Sequence, residues 1–310
     1  MKILVIFTGG TIGSTVSGDY ISTDGNKPYL ILARYNILFP NKIEWDAISP
    51  YTILSENATC KTYGVLYETV KTALNKDYDG IIITHGSDTL QYTAAFLSLV
   101  FGNDTIPIML VSSNYVLEDE RANGMVNFRC AVEFIESKLG RGVFVPYKNE
   151  GEKCKIHVPS KLLGHNPYSD DLFSIGGGYY EIYDGDVFLC GPHYKLQHED
   201  PIEPNVDFNK EGTGVLKLDM HPGMVFLQNF EGIKSVLLQA YHGGTLCVES
   251  EELQNFVKKA KNEGISVYLV GANAETEYES CKEYESIGIT VLPQVSPIYA
   301  YMRLWLANIW

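Results

Sequence analysis

Hydroxyl and carboxylate side chains gather in two short segments of the chain, Thr8-Gly9-Gly10-Thr11-Ile12-Gly13-Ser14 and Thr84-His85-Gly86-Ser87-Asp88-Thr89. A hydroxyl becomes a nucleophile when a base takes its proton, and a neighbouring carboxylate can orient that base or hold a cation. The glycines let the backbone turn sharply and let a substrate reach N–H groups suited to a developing oxyanion. Neither segment is a nucleotide fingerprint, because Gly9, Gly10 and Gly13 lack the G-x-G-x-x-G spacing and no Gly-Lys-Ser/Thr follows. The second segment also suits a helix start. Ser87 or Asp88 could serve as N-cap, and Asp88-Thr89-Leu90-Gln91 has capping-box spacing.

Each segment follows an apolar run, Ile3-Leu4-Val5-Ile6-Phe7 in one case and Ile81-Ile82-Ile83 in the other. Such runs bounded by glycine predict parallel strands buried on both faces. Ligands of open α/β sheets bind beyond the carboxyl ends of the strands, so both segments are expected at the rim of one pocket. Downstream, Leu90, Ala94, Leu97 and Phe101 recur at helical spacing. A strand over 106–111, an amphipathic helix over 124–139 and a strand over 143–145 follow. This alternation predicts a mostly parallel sheet with right-handed crossovers.

Residues 147–209 are rich in Gly, Pro, Tyr, Asp and His, and irregular structure with a small hairpin (179–183 and 186–189) is expected there. Strands are then predicted over 215–218, 235–239, 266–270 and 290–292. Helices are predicted over 223–229, 250–263 and 275–285 and at the C-terminus. The expected fold class is α/β: a larger N-terminal domain (1–200) with a mostly parallel sheet, a linker (201–213) and a smaller C-terminal α/β domain (214–310).

The 24 basic and 38 acidic residues give a net charge of −14, which repels phosphate backbones and argues against nucleic-acid binding without a basic partner. The six cysteines form no Cys-x-x-Cys pair and read as reduced thiols. No signal peptide or bilayer-spanning run is evident, so a cytoplasmic protein away from membranes is expected. The histidines show no metal-ligand spacing; no metal or organic cofactor is expected. His85 reads as a packed residue at a strand end.

Taken together, the two segments resemble the signatures of the L-asparaginase/glutaminase family, Thr-Gly-Gly-Thr-Ile and His-Gly-Thr-Asp-Thr. The likeness is closest to the cytoplasmic, type I bacterial members. Pro50-Tyr51-Thr52-Ile53-Leu54-Ser55-Glu56-Asn57 is similar to the family's substrate-binding turn. Arg121-Ala122-Asn123-Gly124-Met125-Val126-Asn127 and Ala240-Tyr241-His242-Gly243-Gly244-Thr245 resemble further family segments.

The resemblance implies an asparaginase-like fold and hydrolysis of L-asparagine, with L-glutamine as a second candidate. It implies Thr11 as nucleophile, Tyr20 beside it, and Ser87, Asp88 and Lys161 as the proton-transfer set. Lys153 and Lys155 lie near enough in sequence to compete with Lys161 for that place. Gly10, Ser55, Glu56, Gly86, Ser87, Asp88 and Asn114 would bind substrate. Backbone N–H groups at Gly10-Thr11 and Ser87-Asp88 would serve the oxyanion. A homodimer or homotetramer is implied as well.

Ser87 replaces the family's threonine, Glu56 its glutamine or serine, and Thr245 an asparagine found in many relatives. Ser112-Ser113-Asn114-Tyr115-Val116 lacks the family's Gly and Pro. Two rival readings share these residues: an amidase subunit of a tRNA-dependent amidotransferase, and a non-catalytic amino-acid-binding protein.

Overall fold

The computed structural model describes residues 1–10, 12, 14–17, 20–23, 29–40, 42–166, 168–185, 187–190, 200–272 and 278–307, with only the backbone of 14–17, 20–23 and 190. Two compact units emerge. One comprises Met1–Pro201 with Phe208–Glu211, the other Ile202–Asp207 with Gly212–Trp310.

The larger unit starts with β1 (Lys2–Phe7), whose residues from Ile3 onward are all buried, as a strand covered on both faces requires. A hairpin follows, β2 (Ser14–Ser17) against β3 (Tyr20–Thr23), then α1 (Leu30–Leu38), β4 (Glu44–Ile48) and α2 (Cys60–Leu74). Thr59 caps α2 through a reciprocal capping box with Thr62, which fixes where the chain leaves the preceding turn. The remaining elements are β5 (Gly80–Thr84), α3 (Leu90–Phe101), β6 (Pro107–Val111), α4 (Gly124–Glu136), β7 (Gly142–Lys148), β8 (Cys154–His157), β9 (Tyr179–Tyr183) and β10 (Phe188–Cys190).

The eight-stranded sheet runs β10-β9-β8-β7-β6-β5-β1-β4. Strands β4, β1, β5, β6 and β7 are parallel, while β8, β9 and β10 extend the sheet antiparallel. Register places Ile3 opposite Gly80 and Phe7 opposite Thr84. One face carries Ile3, Val5, Phe7, Ile82, Met109 and Val111 against the α1 and α4 side chains Tyr35, Phe128 and Phe134. From β1 the chain crosses to β4 on one side, whereas from β5 it crosses to β6 on the other. The β1/β5 boundary is therefore the switch point at which an open α/β sheet leaves a crevice.

The smaller unit holds four parallel strands in chain order: β11 (Val215–Asp219), β12 (Ser235–Gln239), β13 (Ser266–Val270) and β14 (Ile289–Val291). Helix α5 (Glu251–Asn262) joins β12 to β13, the single turn α6 (Tyr284–Ile287) precedes β14, and α7 (Pro297–Ala307) packs on β11 and β12. Ser250 caps α5 by accepting from Leu253 N–H. Acidic residues in its first turn and lysines in its last complement the helix dipole.

Three expectations need correction. Residues 223–229 form no helix: Pro222 and Gly223, the latter at φ +71°, set a turn, and Asn229 and Gln228 serve local backbone groups instead. The polar helix expected over 275–285 is a 3-10 turn at Glu279–Lys282 followed by α6, while 275–277 lie outside the described residues. Finally, 147–209 is more regular than expected, since β7 runs to Lys148 and β8 pairs with it before the hairpin.

Candidate active site

The turns after β1 and β5 meet at the switch point. Past Phe7, Thr8 hydroxyl donates to Thr84 O at 2.7 Å, and Gly9 forms an isolated parallel bridge with Ile53. Ile53 N–H donates to Thr8 O at 3.1 Å, and Gly10 N–H to Ile53 O at 3.2 Å, so the segment bearing Ser55 continues the sheet edge to edge. Gly10 sits at φ +79°, and any Cβ there would collide with the Gly86 backbone. A Cβ on Gly86 would in turn stand 2.5 Å from Ser55 Oγ and 3.4 Å from Gly10 Cα. Glycine is required at both places by close approach, which is why Gly10, Ser55 and Gly86 share one small space.

Ser55 begins a 3-10 turn (Ser55–Asn57) and is only 4% exposed, yet its Oγ has no hydrogen-bond partner among the described residues. An enclosed hydroxyl left unpaired carries a desolvation penalty that a ligand could relieve. Thr84 Oγ1 and Ser112 Oγ, at the carboxyl ends of β5 and β6, share this condition. Glu56, the next residue along, is exposed.

The helix start after β5 departs from the expected cap. Thr89 is the N-cap of α3 but makes no capping bond; its hydroxyl donates to Ser55 O at 2.9 Å. Gln91 reaches back to Asp88 O at 3.0 Å rather than closing a capping box. The Asp88 carboxylate is exposed and makes no hydrogen bond among the described residues, and Ser87 is half-buried beside it. These two side chains are thus available for chemistry instead of helix capping. Gly10 N–H, in contrast, is committed to Ile53 O, which removes it from the expected oxyanion donors.

His85 is buried, and its partners fix its tautomer. Nδ1 lies 2.8 Å from Gly86 O and must donate, so Nε2 accepts from Thr93 hydroxyl at 2.9 Å. Burial holds its pKa below the ordinary histidine value. It is the packed strand-end residue that was expected.

Among the three candidate lysines, Lys153 pairs with Asp184 at 3.6 Å. Lys155 pairs with Glu152 at 2.6 Å and lies over the Tyr179 ring. Lys161 is half-buried, and burial alone pulls its pKa below the usual lysine range, the direction a general base needs. Its N–H bonds Val158 O and its carbonyl accepts from Ile175, fixing the backbone that carries it.

Asn114 stands in a turn closed reciprocally with Asn123. Each side-chain oxygen accepts the other's backbone N–H at 3.0 Å, and Asn123 also ties to Lys148 O at 2.9 Å. Thr11 lies outside the described residues, between Gly10 and buried Ile12, and Tyr20 is described only as backbone in β3. In the smaller unit, Thr245 O accepts from Tyr241 N–H at 3.0 Å, closing its turn.

One residue near the site carried no signal in the sequence. His165 is half-buried and lies close enough to Asp88 for that carboxylate to pull its pKa upward against burial. A lone histidine between Gly164 and Asn166 offers no spacing from which this could be read.

A family profile described as "Asparaginase, N-terminal" matches residues 2–162. A glutamyl-tRNA(Gln) amidotransferase subunit from Sulfolobus acidocaldarius is 32% identical, covering 98% of this chain and 70% of its own. L-asparaginase of Thermococcus kodakarensis is 27% identical over 85% of this chain and 78% of its own. The structure of the thermostable L-asparaginase from Thermococcus kodakarensis superposes with a TM-score of 0.81 at 21% identity, covering 99% of this chain and 93% of that one. This last likeness speaks for the fold.

Proposed function

The chain belongs to the asparaginase family, and from that premise we propose that it hydrolyses L-asparagine to L-aspartate and ammonia. The observation that carries the reading is the meeting of Gly10, Ser55 and Gly86 at the β1/β5 switch point, with the Ser55 hydroxyl enclosed and unpartnered. A small ligand with a carboxylate would satisfy that hydroxyl. An ammonium group of the same ligand suits the exposed Asp88 carboxylate.

In this mechanism the Thr11 hydroxyl attacks the amide carbon, with Tyr20 polarising it. The oxyanion is held by N–H groups of Thr11, Ser87 and Asp88, since Gly10 N–H is already engaged. Lys161, whose burial favours the neutral amine, takes the proton through Ser87 and passes it to departing ammonia; Asp88 orients it. Water then attacks the acyl-enzyme and releases aspartate. Asn114 keeps its two Nδ2 donors for substrate, because its oxygen serves the backbone of Asn123 and Tyr115. Glu56, exposed beside Ser55, favours the ammonium end of the ligand. No step requires a metal or organic cofactor, and a homodimer or homotetramer, in the cytoplasm, is the proposed working form.

A coupled ammonia assay over asparagine and glutamine is the test, with Thr11→Val expected to lose at least roughly 1,000-fold in kcat while the circular dichroism spectrum is kept. Full activity in that variant would remove Thr11 from its role.

A second reading is favoured by the 32% identity to an amidotransferase subunit over nearly the whole chain. It makes the protein the amidase subunit of a tRNA-dependent amidotransferase, where a basic partner offsets the net charge of −14. Ammonia from glutamine only when partner subunit and charged tRNA are added would select it. Calorimetric binding of either amide with no ammonia under any condition would select a binding protein instead.

A further inference from the structure

Strands β6 and β7 separate towards their carboxyl ends, and two asparagines of the α4 segment fill the gap. The parallel pairing runs from Pro107↔Gly142 to Met109↔Phe144, although β6 continues to Val111 and β7 to Lys148. Gly142 N–H donates to Ile106 O at 3.4 Å, so even-numbered residues of β7 turn their peptide groups towards β6. Continued by twos, that series would take Pro146 to Leu110 O and Lys148 N–H to Ser112 O. Proline has no N–H to give, and the ladder lapses there.

Lys148 resumes it at one remove. Asn127 Nδ2 donates to Ser112 O at 2.9 Å while its Oδ1 accepts from Lys148 N–H at 2.9 Å. Asn123 Oδ1 accepts from Asn114 N–H at 3.0 Å while its Nδ2 donates to Lys148 O at 2.9 Å. The two ladder bonds expected of Lys148, one to Ser112 O and one from Asn114 N–H, are thus each replaced by a side-chain amide. Such an amide both donates and accepts, as a peptide group does. Asn123 is the N-cap of α4 and Asn127 lies four residues on, so one side of the helix start carries both. Asn127 is fully buried, and Cys154 Sγ approaches the same Oδ1 at 3.9 Å. Each inserted amide holds the strands further apart than a direct bond would. Asn114 stands at that opening, its Oδ1 taken by the N–H groups of Asn123 and Tyr115 at 3.0 Å each.

We propose that Asn127 is a positioning residue for substrate binding: it is the inner half of a two-amide insert between β6 and β7 that sets the turn from which Asn114 offers its Nδ2 donors. The inference rests on the assignment of Asn114 to substrate. Asn114 takes no part in proton transfer, so misplacing it weakens ground and transition states alike. The effect falls on KM.

Kinetics of ammonia release from asparagine test this in the wild type, Asn127→Leu, Asn114→Ala and the double variant. Leucine fills the volume of asparagine and makes no hydrogen bond, so the insert is lost without leaving a hole. Asn127→Leu is expected to raise KM roughly 10-fold with kcat kept within about 3-fold, and to add less than about 2-fold to KM once Asn114 is alanine. KM effects that multiply in the double variant, or a fall in kcat at unchanged KM, overturn the proposal. An Asn114→Ala protein with unchanged KM also overturns it, while its ammonia release leaves the amidohydrolase reading intact. If Asn127→Leu does not fold, Asn123→Ala takes its place in the same cycle with the same expectations. Failure of both to fold makes the insert purely structural and overturns the proposal.

A wild type that releases no ammonia from either amide ends the amidohydrolase reading by itself. Hydrogen exchange then decides on the insert, with the buried Ile82 amide as internal reference. An Asn114 amide that exchanges roughly 10-fold faster in Asn127→Leu, at an unchanged Ile82 rate, supports the proposal. Equal acceleration at both, or none at Asn114, overturns it.

Discussion

Each unit of the molecule ends a parallel strand in a glycine turn, and the two turns are built in opposite ways. In the smaller unit the turn after β12 closes on itself. Gly244 N–H bonds Tyr241 O at 2.8 Å, Tyr241 N–H bonds Thr245 O at 3.0 Å, and the buried Tyr284 hydroxyl donates to Gly244 O at 2.8 Å. In the larger unit the turns after β1 and β5 press glycine against glycine and leave Ser55 Oγ and Thr84 Oγ1 enclosed without partners. A turn whose polar groups answer one another is complete as it stands. One that buries hydroxyls unpaired leaves polar groups for a ligand or an ordered water to answer.

Acid separates the two units most strongly. His157 is fully buried against Ser174, with Nδ1 and Oγ 2.8 Å apart, and burial brings its pKa down to about 3. Below 6.5 the unfolded chain binds a proton that the folded chain refuses, so stability drops as pH falls from that value towards about 3. The slope is up to about 1.4 kcal/mol per pH unit. The described histidines of the smaller unit, His221 and His242, are exposed. Urea unfolding near about pH 4.5, with hydrogen exchange resolved by unit, is expected to show the larger unit weakened by roughly 2–3 kcal/mol and the smaller one little changed. Equal weakening would break the comparison.

Glycine substitution is next in size. Gly86→Ala drives a methyl to within 2.5 Å of Ser55 Oγ, whereas at Gly243 the nearest atom to a new Cβ is 3.6 Å away. The first change is expected to cost about 1–3 kcal/mol in urea unfolding and the second less than about 0.5.

The smallest and sharpest test is a pair of deletions. Tyr284→Phe removes a made hydrogen bond and costs about 1 kcal/mol. Ser55→Ala removes an unmade one, so unfolding changes by less than about 0.5 kcal/mol while KM for asparagine rises roughly 10-fold. A Ser55→Ala protein that unfolds much more easily at unchanged KM would make Ser55 a structural residue.

What was legible in the residues follows the same division. Runs such as Ile3–Phe7 and Ile81–Ile83, short, β-branched and bounded by glycine, read as strands buried on both faces, and they locate the switch point. The helix expected over 223–229 is absent because Pro222-Gly223 turns the chain before the contiguous apolar run 224–227. Strand β8 is four residues long and alternates with Lys155; its existence depends on pairing with β7, which local pattern does not encode. Around the site, Ser55 and Asp88 were found through family likeness. Thr89 bonding Ser55 O in place of a cap, and the Asn114–Asn123 exchange, are long-range contacts that no spacing announces.

The stitch between Ile53 and the residues just past β1 has a mechanical consequence. Whatever grips Ser55 pulls on an inner strand of the eight-stranded sheet, because Ile53 is fastened to Thr8 and Gly10 from both sides. Occupancy will accordingly be felt as slowed solvent exchange at Leu4, Val5 and Ile6, residues enclosed in the interior, and not only along the rim of the cleft.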